Sequence, residues 1–366
     1  MADSSLFVFA SHQTIIYLLV YVDDIIITGN SSSQVSHLVT ALSKAFELKD
    51  LGALSYFLGI QIVPSKFGLT LCQSKYAFNV LHRFKMENSK PTKTPCCPSV
   101  RLTPFDGSAL SDPTEYRSMV GALQYLTFTR PDLAFSVHQL CQFMQNPTTS
   151  HLEAAKRVLR YVKGTLHFGI HFAPSPLSLS AFSDADWAGD PTNRKSTTGM
   201  LVFLGSSPIS WSSKKQSTIS RSSTETEYRA LASTATELAW LRTLFKEHKL
   251  FLPHIPIIWS DNNSTIALAS NPVFHSRTKH IEVDYHYVRG YVLRSTLGVK
   301  FISGRDNFAD IFTKPLPSPR FLVLQSKLMA DTASSLRGNV KSTHRNNHNN
   351  LCFDQKVQKS NGMPNG

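Results

Sequence analysis

From Leu177 onward the chain alternates in a way that leaves few folds open. Strand-like runs at about 177–186, 198–204 and 208–213 precede a long helical stretch at about 222–248. A strand at 255–260, a helix from about 262, another at about 280–294, a strand at 297–303 and a short helix at 307–312 follow. Three successive strands with short connections pair antiparallel, whereas strands separated by helices must cross over and pair in parallel. The pattern therefore predicts an α/β layer built on a mixed sheet.

The part before Leu177 reads differently. Residues 6–28 form a hairpin pattern, in which the apolar runs 15–22 and 25–28 flank Asp23 and Asp24 at the tip. A helix follows, with Val35, Leu38, Val39, Leu42 and Phe46 at spacings of three and four, and 56–62 is strand-like. Residues 88–113 are proline-rich and read as a linker. Three helices come next: one carrying Tyr116, Met119, Val120 and Leu123, one opening at Pro131 with Leu133, Val137, Leu140 and Met144, and one after Ser150 with Leu152, Ala155, Leu159 and Val162. Pro174 and Pro176 mark a second boundary. The tail from Ser334 has almost no apolar periodicity and is expected to be disordered.

A formal charge of +13 favours a polyanionic partner, nucleic acid before an anionic membrane. Most of that excess lies outside residues 177–317, so a basic frame surrounds a more acidic centre. Cys72, Cys96, Cys97, Cys141 and Cys352 are odd in number and lack metal-type spacing, which points to a reducing compartment, cytoplasmic or nuclear. The apolar run 14–22 ends at two aspartates and is too short to span a bilayer. No signal peptide, transmembrane helix or membrane partner is expected.

Acidic residues punctuate the α/β segment. Asp184 and Asp186 share a strand face with Phe182, and alternation alone does not choose between them. Glu225 and Glu227 open the long helix; Glu227 stands above Leu231 and Leu238, while Glu225 resembles a first-turn surface residue. Asp261 ends the strand Ile257-Ile258-Trp259, where α/β sheets place their sites, although an aspartate there is also a good N-cap. Asp310 lies in a short helix beside Phe308 and Ile311. Carboxylates gathered against their repulsion need divalent cations, the equipment for in-line hydrolysis of a phosphodiester.

Several segments carry a resemblance. They are Ser183-Asp184-Ala185-Asp186-Trp187-Ala188-Gly189, Arg194-Lys195-Ser196-Thr197-Thr198-Gly199, Ile209-Ser210-Trp211, residues 223–228, Arg277-Thr278-Lys279-His280-Ile281 and residues 309–317. Together they resemble the ribonuclease H domain of copia-type (Ty1/copia) retrotransposon Pol polyproteins. Residues 6–173 resemble the C-terminal part of the reverse transcriptase of that family, with Tyr21-Val22-Asp23-Asp24 as its active-site tip. The resemblance implies a truncated reverse-transcriptase palm over 1–87, a linker with helical thumb and connection over 88–173, and a ribonuclease H-like domain with a mixed five-stranded sheet over 174–317. A C-terminal tail over 318–366, largely disordered from about 334, completes the expected α/β arrangement.

The resemblance also assigns roles. Its four metal carboxylates fall on Asp184, Glu227, Asp261 and Asp310, holding two Mg²⁺ ions, or Mn²⁺ as a substitute, with Asp184 bridging. The implied reaction is hydrolysis of the RNA strand of an RNA–DNA hybrid. Lys214, Lys215 and Arg221 are the phosphate-contact candidates, and association with other transposon polyprotein products is a further expectation. Many ribonucleases H carry a histidine in the loop before the last aspartate; here that loop is Ser303-Gly304-Arg305-Asp306, so the resemblance leads us to expect slow turnover or a share of the role for Arg305.

Asp23 and Asp24 resemble half of a polymerase metal site whose third carboxylate lies upstream in this family. Asp3 is the sole acidic residue before them, so polymerase activity is expected to be lost by N-terminal truncation, and the hairpin is expected to end in an exposed edge. Two alternatives stand beside this expectation. One is a non-catalytic nucleic-acid binder or decayed transposon remnant; the other is an RNA-directed DNA polymerase whose missing half comes from another chain.

Overall fold

The computed structural model describes residues 4–270 and 282–332, and the backbone of Gln355–Lys359. The chain forms two compact units, one from Met1–Ile62, Trp240–Phe251 and Leu336–Gly366, the other from Val63–Ala239 and Leu252–Ser335.

In the first unit, β1 (Leu6–Ala10), β2 (Ile15–Tyr21) and β3 (Asp24–Gly29) pair antiparallel in sequence. Helix α1 (Ser32–Ala45) lays Val35 and Val39 on Ile16 and Ile27, the period-four stripe meeting one face of the pleat. Phe46 was the last member of the expected stripe, but the helix ends at Ala45 and leaves that ring 58% exposed. β4 (Leu48–Ala53) and β5 (Tyr56–Phe57) follow, and β6 (Ile60–Ser65) pairs back on β5. The expected single strand over 56–62 is thus a hairpin. Leu58 and Gly59 both take left-handed φ angles, 46° and 73°, which turns the chain within two residues.

Within the tail, which was expected to be largely disordered, one stretch is described. Gln355–Lys359 is a strand paired antiparallel with both β3 and β4. Backbone hydrogen bonding makes no demand on apolar periodicity, which is why a polar segment can fill this slot. It also covers the β3 side of the hairpin that was expected to end as an open edge. The other tail residues beyond Thr332 lie outside the described residues.

The second unit begins with β7 (Gly68–Cys72) and α2 (Ser74–Arg83). Helices α3 (Thr114–Leu126), α4 (Ala134–Cys141) and α5 (Thr149–Gly164) then stack, with a 3-10 turn at Pro131–Leu133 before α4. β8 (Phe168–Phe172) lies against β7. The mixed sheet comprises β9 (Leu179–Asp186), β10 (Thr197–Leu204), β11 (Ser207–Lys215), β12 (Ile257–Ser260) and β13 (Gly298–Phe301), in the order β11-β10-β9-β12-β13. β9, β10 and β11 are antiparallel, and β12 runs parallel to both β9 and β13, as the strand and helix pattern required. Helix α6 (Ser223–Glu247) precedes β12; α7 (Asn263–Ser270) and α8 (Glu282–Leu293) lie between β12 and β13. A helix that the sequence reading did not single out, α9 (Ser318–Leu328), packs Phe321, Leu324 and Leu328 into the core, and β14 (Ala330–Asp331) pairs with β8.

One hydrophobic core serves helices and sheet together. Met119, Leu123, Leu140, Leu159 and Val162 share it with Phe182, Leu201, Phe312 and Leu324. Inside it sits a buried polar network. Arg130 donates twice to Asp132, at 2.9 and 2.7 Å, and Tyr161 donates to the same carboxylate at 2.5 Å. Gln325 of α9 donates to the Tyr161 hydroxyl, so the network ties α9 to α5.

A second polar contact fastens α4 to the mixed sheet. The Lys215 backbone N–H donates to His138 Nε2 at 3.0 Å, so the imidazole is neutral. Burial holds its pKa down to about 4, with the Lys215 and Lys214 charges adding to the effect. The unfolded chain takes up that proton near the ordinary value of about 6.5. Between the two values the unfolded state binds more protons, so this contribution is full above about pH 6.5 and lost as pH falls towards 4. Its full extent is about 3 kcal/mol. The buried Asp184 and Glu227 carboxyls, whose pKa values are raised, act in the opposite sense over the same range. The urea midpoint of the wild type should therefore fall relative to that of His138→Gln as pH goes from 6.5 to 4.5. Parallel profiles for the two proteins would remove His138 as the cause.

No helix among the described residues is long and apolar enough to cross a membrane.

Candidate metal centre

β9 carries Asp184 into the interior of the sheet, with Gly199 of β10 as its register partner. That glycine is a packing requirement. A Cβ there would meet Thr313 Cγ2 at 2.6 Å and the Ala309 carbonyl at 2.9 Å, so only glycine lets the segment over 309–313 lie on the sheet beside Asp184. Asp261 follows the last residue of β12, the parallel neighbour of β9, in the crevice beyond a strand C-terminus. Gly304 approaches it so closely that a Cβ would lie 3.0 Å from Asp261 Oδ2.

Glu227 comes from the first turns of α6. The Ser222 hydroxyl accepts the Glu225 N–H at 3.2 Å, and the Glu225 carboxylate accepts the Arg221 N–H at 2.8 Å and pairs with Arg229 at 3.0 Å. Glu225 is therefore a buried, fully engaged residue of the helix start, and not the surface residue that its position suggested. Glu227, two residues on, faces the sheet: its Oε1 accepts the Ala185 N–H at 3.4 Å, and its Oε2 is buried without a hydrogen-bond partner.

One ligand oxygen from each of Asp184, Glu227 and Asp261 lies within 4.8 Å of the others. Asp310 joins them from the 3-10 helix Phe308–Phe312. Asn307 fixes that helix by accepting the Ala309 N–H and donating to the Ser183 carbonyl, both at 3.0 Å. Lys314 links Asp310 to Asp184, its Nζ standing 2.7 Å from Asp310 Oδ1 and 3.4 Å from Asp184 Oδ2. The Thr313 hydroxyl donates to the same Asp184 oxygen. Arg320 holds the other Asp310 oxygen at 3.3 Å and donates to the carbonyls of Gly304 and Arg305.

The electrostatics follow from crowding. Burial is the main cause that raises the Asp184 carboxyl to about 6; Asp310 adds to it, and Lys314 and the Thr313 hydroxyl oppose it. Burial raises Glu227 further, to about 9, with Asp184 and Asp261 pushing in the same direction. Burial works to lower the Lys314 pKa, but Asp184 and Asp310 override it and the net shift is upward. A buried carboxylate set short of positive charge, with an orphaned Glu227 oxygen, fits a divalent cation with oxygen ligands.

The structure brings together Asp184, Glu227 and Asp261, joins Asp310 to Asp184 through the Lys314 ammonium, and leaves Asp186 outside them, paired with Arg101 at 3.2 Å. Lys215 is already matched, its ammonium bound to Asp190 and to Gln142, whereas Lys214 and Arg221 are exposed. Arg305 is exposed in its loop. Asp23 occupies the turn between β2 and β3, and Asp24 opens β3. Val22 beside them has a φ of 51°, a left-handed conformation that is costly for a β-branched residue. Among the described residues, Asp23 and Asp24 belong to no group of three metal-ligating side chains, and Asp3 lies outside the described residues. The motif segment 277–281 also lies outside them, apart from the start of α8 just after it. Asn307, Thr313, Lys314 and Arg320 were not singled out from sequence, although Asn307 sits at an N-cap and Lys314 four residues after Asp310, both spacings with known meaning.

Comparison with known proteins adds four findings. A family described as "Reverse transcriptase (RNA-dependent DNA polymerase)" matches residues 2–98. Over 329 residues the chain is 48% identical to the Retrovirus-related Pol polyprotein from transposon RE1 of Arabidopsis thaliana, covering 90% of this chain and 22% of that polyprotein. It is 51% identical over 225 residues to an uncharacterized mitochondrial protein of the same plant, covering 61% of this chain and 93% of that protein. The chain therefore spans less than a quarter of the Pol polyprotein that it matches. Among solved structures, the foamy viral protease-reverse transcriptase in complex with RNA/DNA hybrid aligns with a TM-score of 0.44 and 14% identity, over 82% of this chain and 37% of that one.

Proposed function

Because the chain belongs to the family of copia-type retrotransposon Pol polyproteins, we propose that its mixed-sheet unit hydrolyses the RNA strand of RNA–DNA hybrids at the Asp184, Glu227, Asp261 and Asp310 centre. The observation that carries this reading is the convergence of three carboxylate oxygens within 4.8 Å, one of them beside an orphaned Glu227 oxygen. Two Mg²⁺ ions, or Mn²⁺ in their place, would supply Lewis-acid activation of water and neutralise charge at the phosphorus.

The protein's own residues prepare that chemistry. Asp184 is fixed by its strand and by the Thr313 hydroxyl, so its carboxylate keeps one orientation. Asn307 anchors the Asp310 helix to the Ser183 carbonyl, and Arg320 ties the preceding loop to it. Glu227 stands on the rigid first turns of a 25-residue helix. Such preorganisation removes the reorganisation cost at the moment of reaction. Discrimination for RNA would come from 2′-hydroxyl contacts in the minor groove.

The test is cleavage of a labelled hybrid by the purified chain. Mg²⁺ and Mn²⁺ should support cleavage of the RNA strand, with little action on double-stranded DNA. Ca²⁺ should bind without turnover, since its looser coordination does not hold an in-line geometry. Absence of metal-dependent cleavage would favour the non-catalytic binder or decayed remnant, and robust cleavage in Ca²⁺ alone would argue for another mechanism.

For the Asp23 and Asp24 tip, we propose that this polypeptide does not extend a primer by itself. Nucleotidyl transfer by two metals needs a further carboxylate, and none joins the pair among the described residues. Primer extension on an RNA template should therefore show no template-directed incorporation. Incorporation that Asp23→Asn abolishes would overturn this expectation.

A further inference from the structure

We propose that the Lys314 ammonium is the centre's own internal cation, seated between Asp184 and Asp310 in the metal-free protein and displaced when a divalent ion binds. The inference rests on reading the four carboxylates as a metal site. Its own basis is a contrast between two cations that both touch Asp310.

Arg320 is built into the loop. Besides its 3.3 Å contact with Asp310 Oδ2, its guanidinium donates to the carbonyls of Gly304 and Arg305. Those bonds would persist whatever occupied the centre. Lys314 is placed differently. Both of its ion pairs are with carboxylates of the quartet, at 2.7 Å to Asp310 Oδ1 and 3.4 Å to Asp184 Oδ2. Its side chain is 36% exposed, against 4% for Asp184, so a flexible stem can carry the charge out to water without opening the core.

Lys314 touches one oxygen each of Asp184 and Asp310, two of the carboxylates assigned to the metal, so a divalent ion would contend with it for their charge. An ammonium and a dication a few ångströms apart repel strongly in a poorly solvated site, so the two cannot share them. Competition of this kind is reciprocal: the ammonium weakens the metal by the same factor by which the metal weakens the ammonium. Lys314 thereby keeps Asp184 and Asp310 together before metal arrives, at the expense of metal affinity.

The experiment uses the full chain and Mn²⁺ as the probe, with free Mn²⁺ followed by electron paramagnetic resonance. Lys314→Met keeps the length of the stem and removes the charge, and it should bind Mn²⁺ at least about tenfold more tightly than wild type. Lys314→Arg, which keeps the charge, should show no such gain. In EDTA the Met variant should melt below wild type, and saturating Mn²⁺ should close that gap. Unchanged or weaker Mn²⁺ affinity in Lys314→Met overturns the proposal while leaving the metal site intact. Failure of both wild type and variant to bind Mn²⁺ removes the metal reading and this inference together.

A measurement on wild type alone covers the case in which the Met variant does not fold. Acylation of lysines, read by mass spectrometry, should modify Lys314 faster with Mg²⁺ than in EDTA. Equal rates, or protection by Mg²⁺, would count against displacement.

Discussion

Asp184→Asn is expected to abolish metal-dependent cleavage of an RNA–DNA hybrid, a loss of at least about a thousandfold, or roughly 4 kcal/mol of transition-state stabilisation. Asp186→Asn, two residues along the same strand, should cost less than about tenfold. The contrast follows from where the strand delivers each carboxylate. Asp184 is 3% exposed and lies within reach of Glu227, Asp261 and the Lys314 ammonium. Asp186 pairs with Arg101, which also donates to the Gly189 carbonyl at 3.3 Å, and so it serves a loop. Asparagine preserves the size of Asp184 and can still accept from the Thr313 hydroxyl, so the loss reports charge. Single-turnover rates of the two variants decide the matter; equal losses would sink the assignment of Asp184.

Asp132→Ala is expected to destabilise the protein by about 3–5 kcal/mol. Arg130 and Asp132 are each 2% exposed, and removing the carboxylate leaves a buried guanidinium without its partner. Tyr161 loses its acceptor in the same step, and Gln325 of α9 is bonded to that hydroxyl. The double variant Arg130→Met with Asp132→Leu should be less damaged than Asp132→Ala alone, because replacing both charges leaves no buried charge unpaired. Urea unfolding of the three proteins measures this. A double variant at least as unstable as Asp132→Ala would show that packing, and not the stranded charge, sets the cost.

How much of this was legible in the sequence depended on whether the signal was periodic. The mixed sheet and its helices could be read almost to their ends because strand alternation and the helical stripe both repeat. Helix α9 has the same kind of stripe in Phe321, Leu324 and Leu328, but it is short and begins just after the proline-bounded motif that drew the eye. The hairpin at Leu58 and Gly59 was missed because an apolar run gives no warning of a left-handed leucine. Glu225 and Glu227 could not be separated by pattern alone. The difference lies in partners, Arg229 and the Arg221 N–H for one and the sheet for the other, and contacts of that kind are tertiary. Lys314 and Thr313 were written in a motif but had no visible purpose until Gly199 allowed their segment to rest beside Asp184.

The strand Gln355–Lys359 lies between β3 and β4, whose sequence neighbours end some three hundred residues earlier. A ribosome works at about 5–20 residues per second, so β3 waits roughly 15 s or more for the segment that will pair with it. Until then the backbone N–H and C=O groups on the edge of β3 away from β2 are open to any other extended chain. The sheet of the first unit is accordingly a late product of synthesis, completed only after the mixed sheet has already had its full sequence available. Nascent chains halted before residue 355 should be the species most prone to associate.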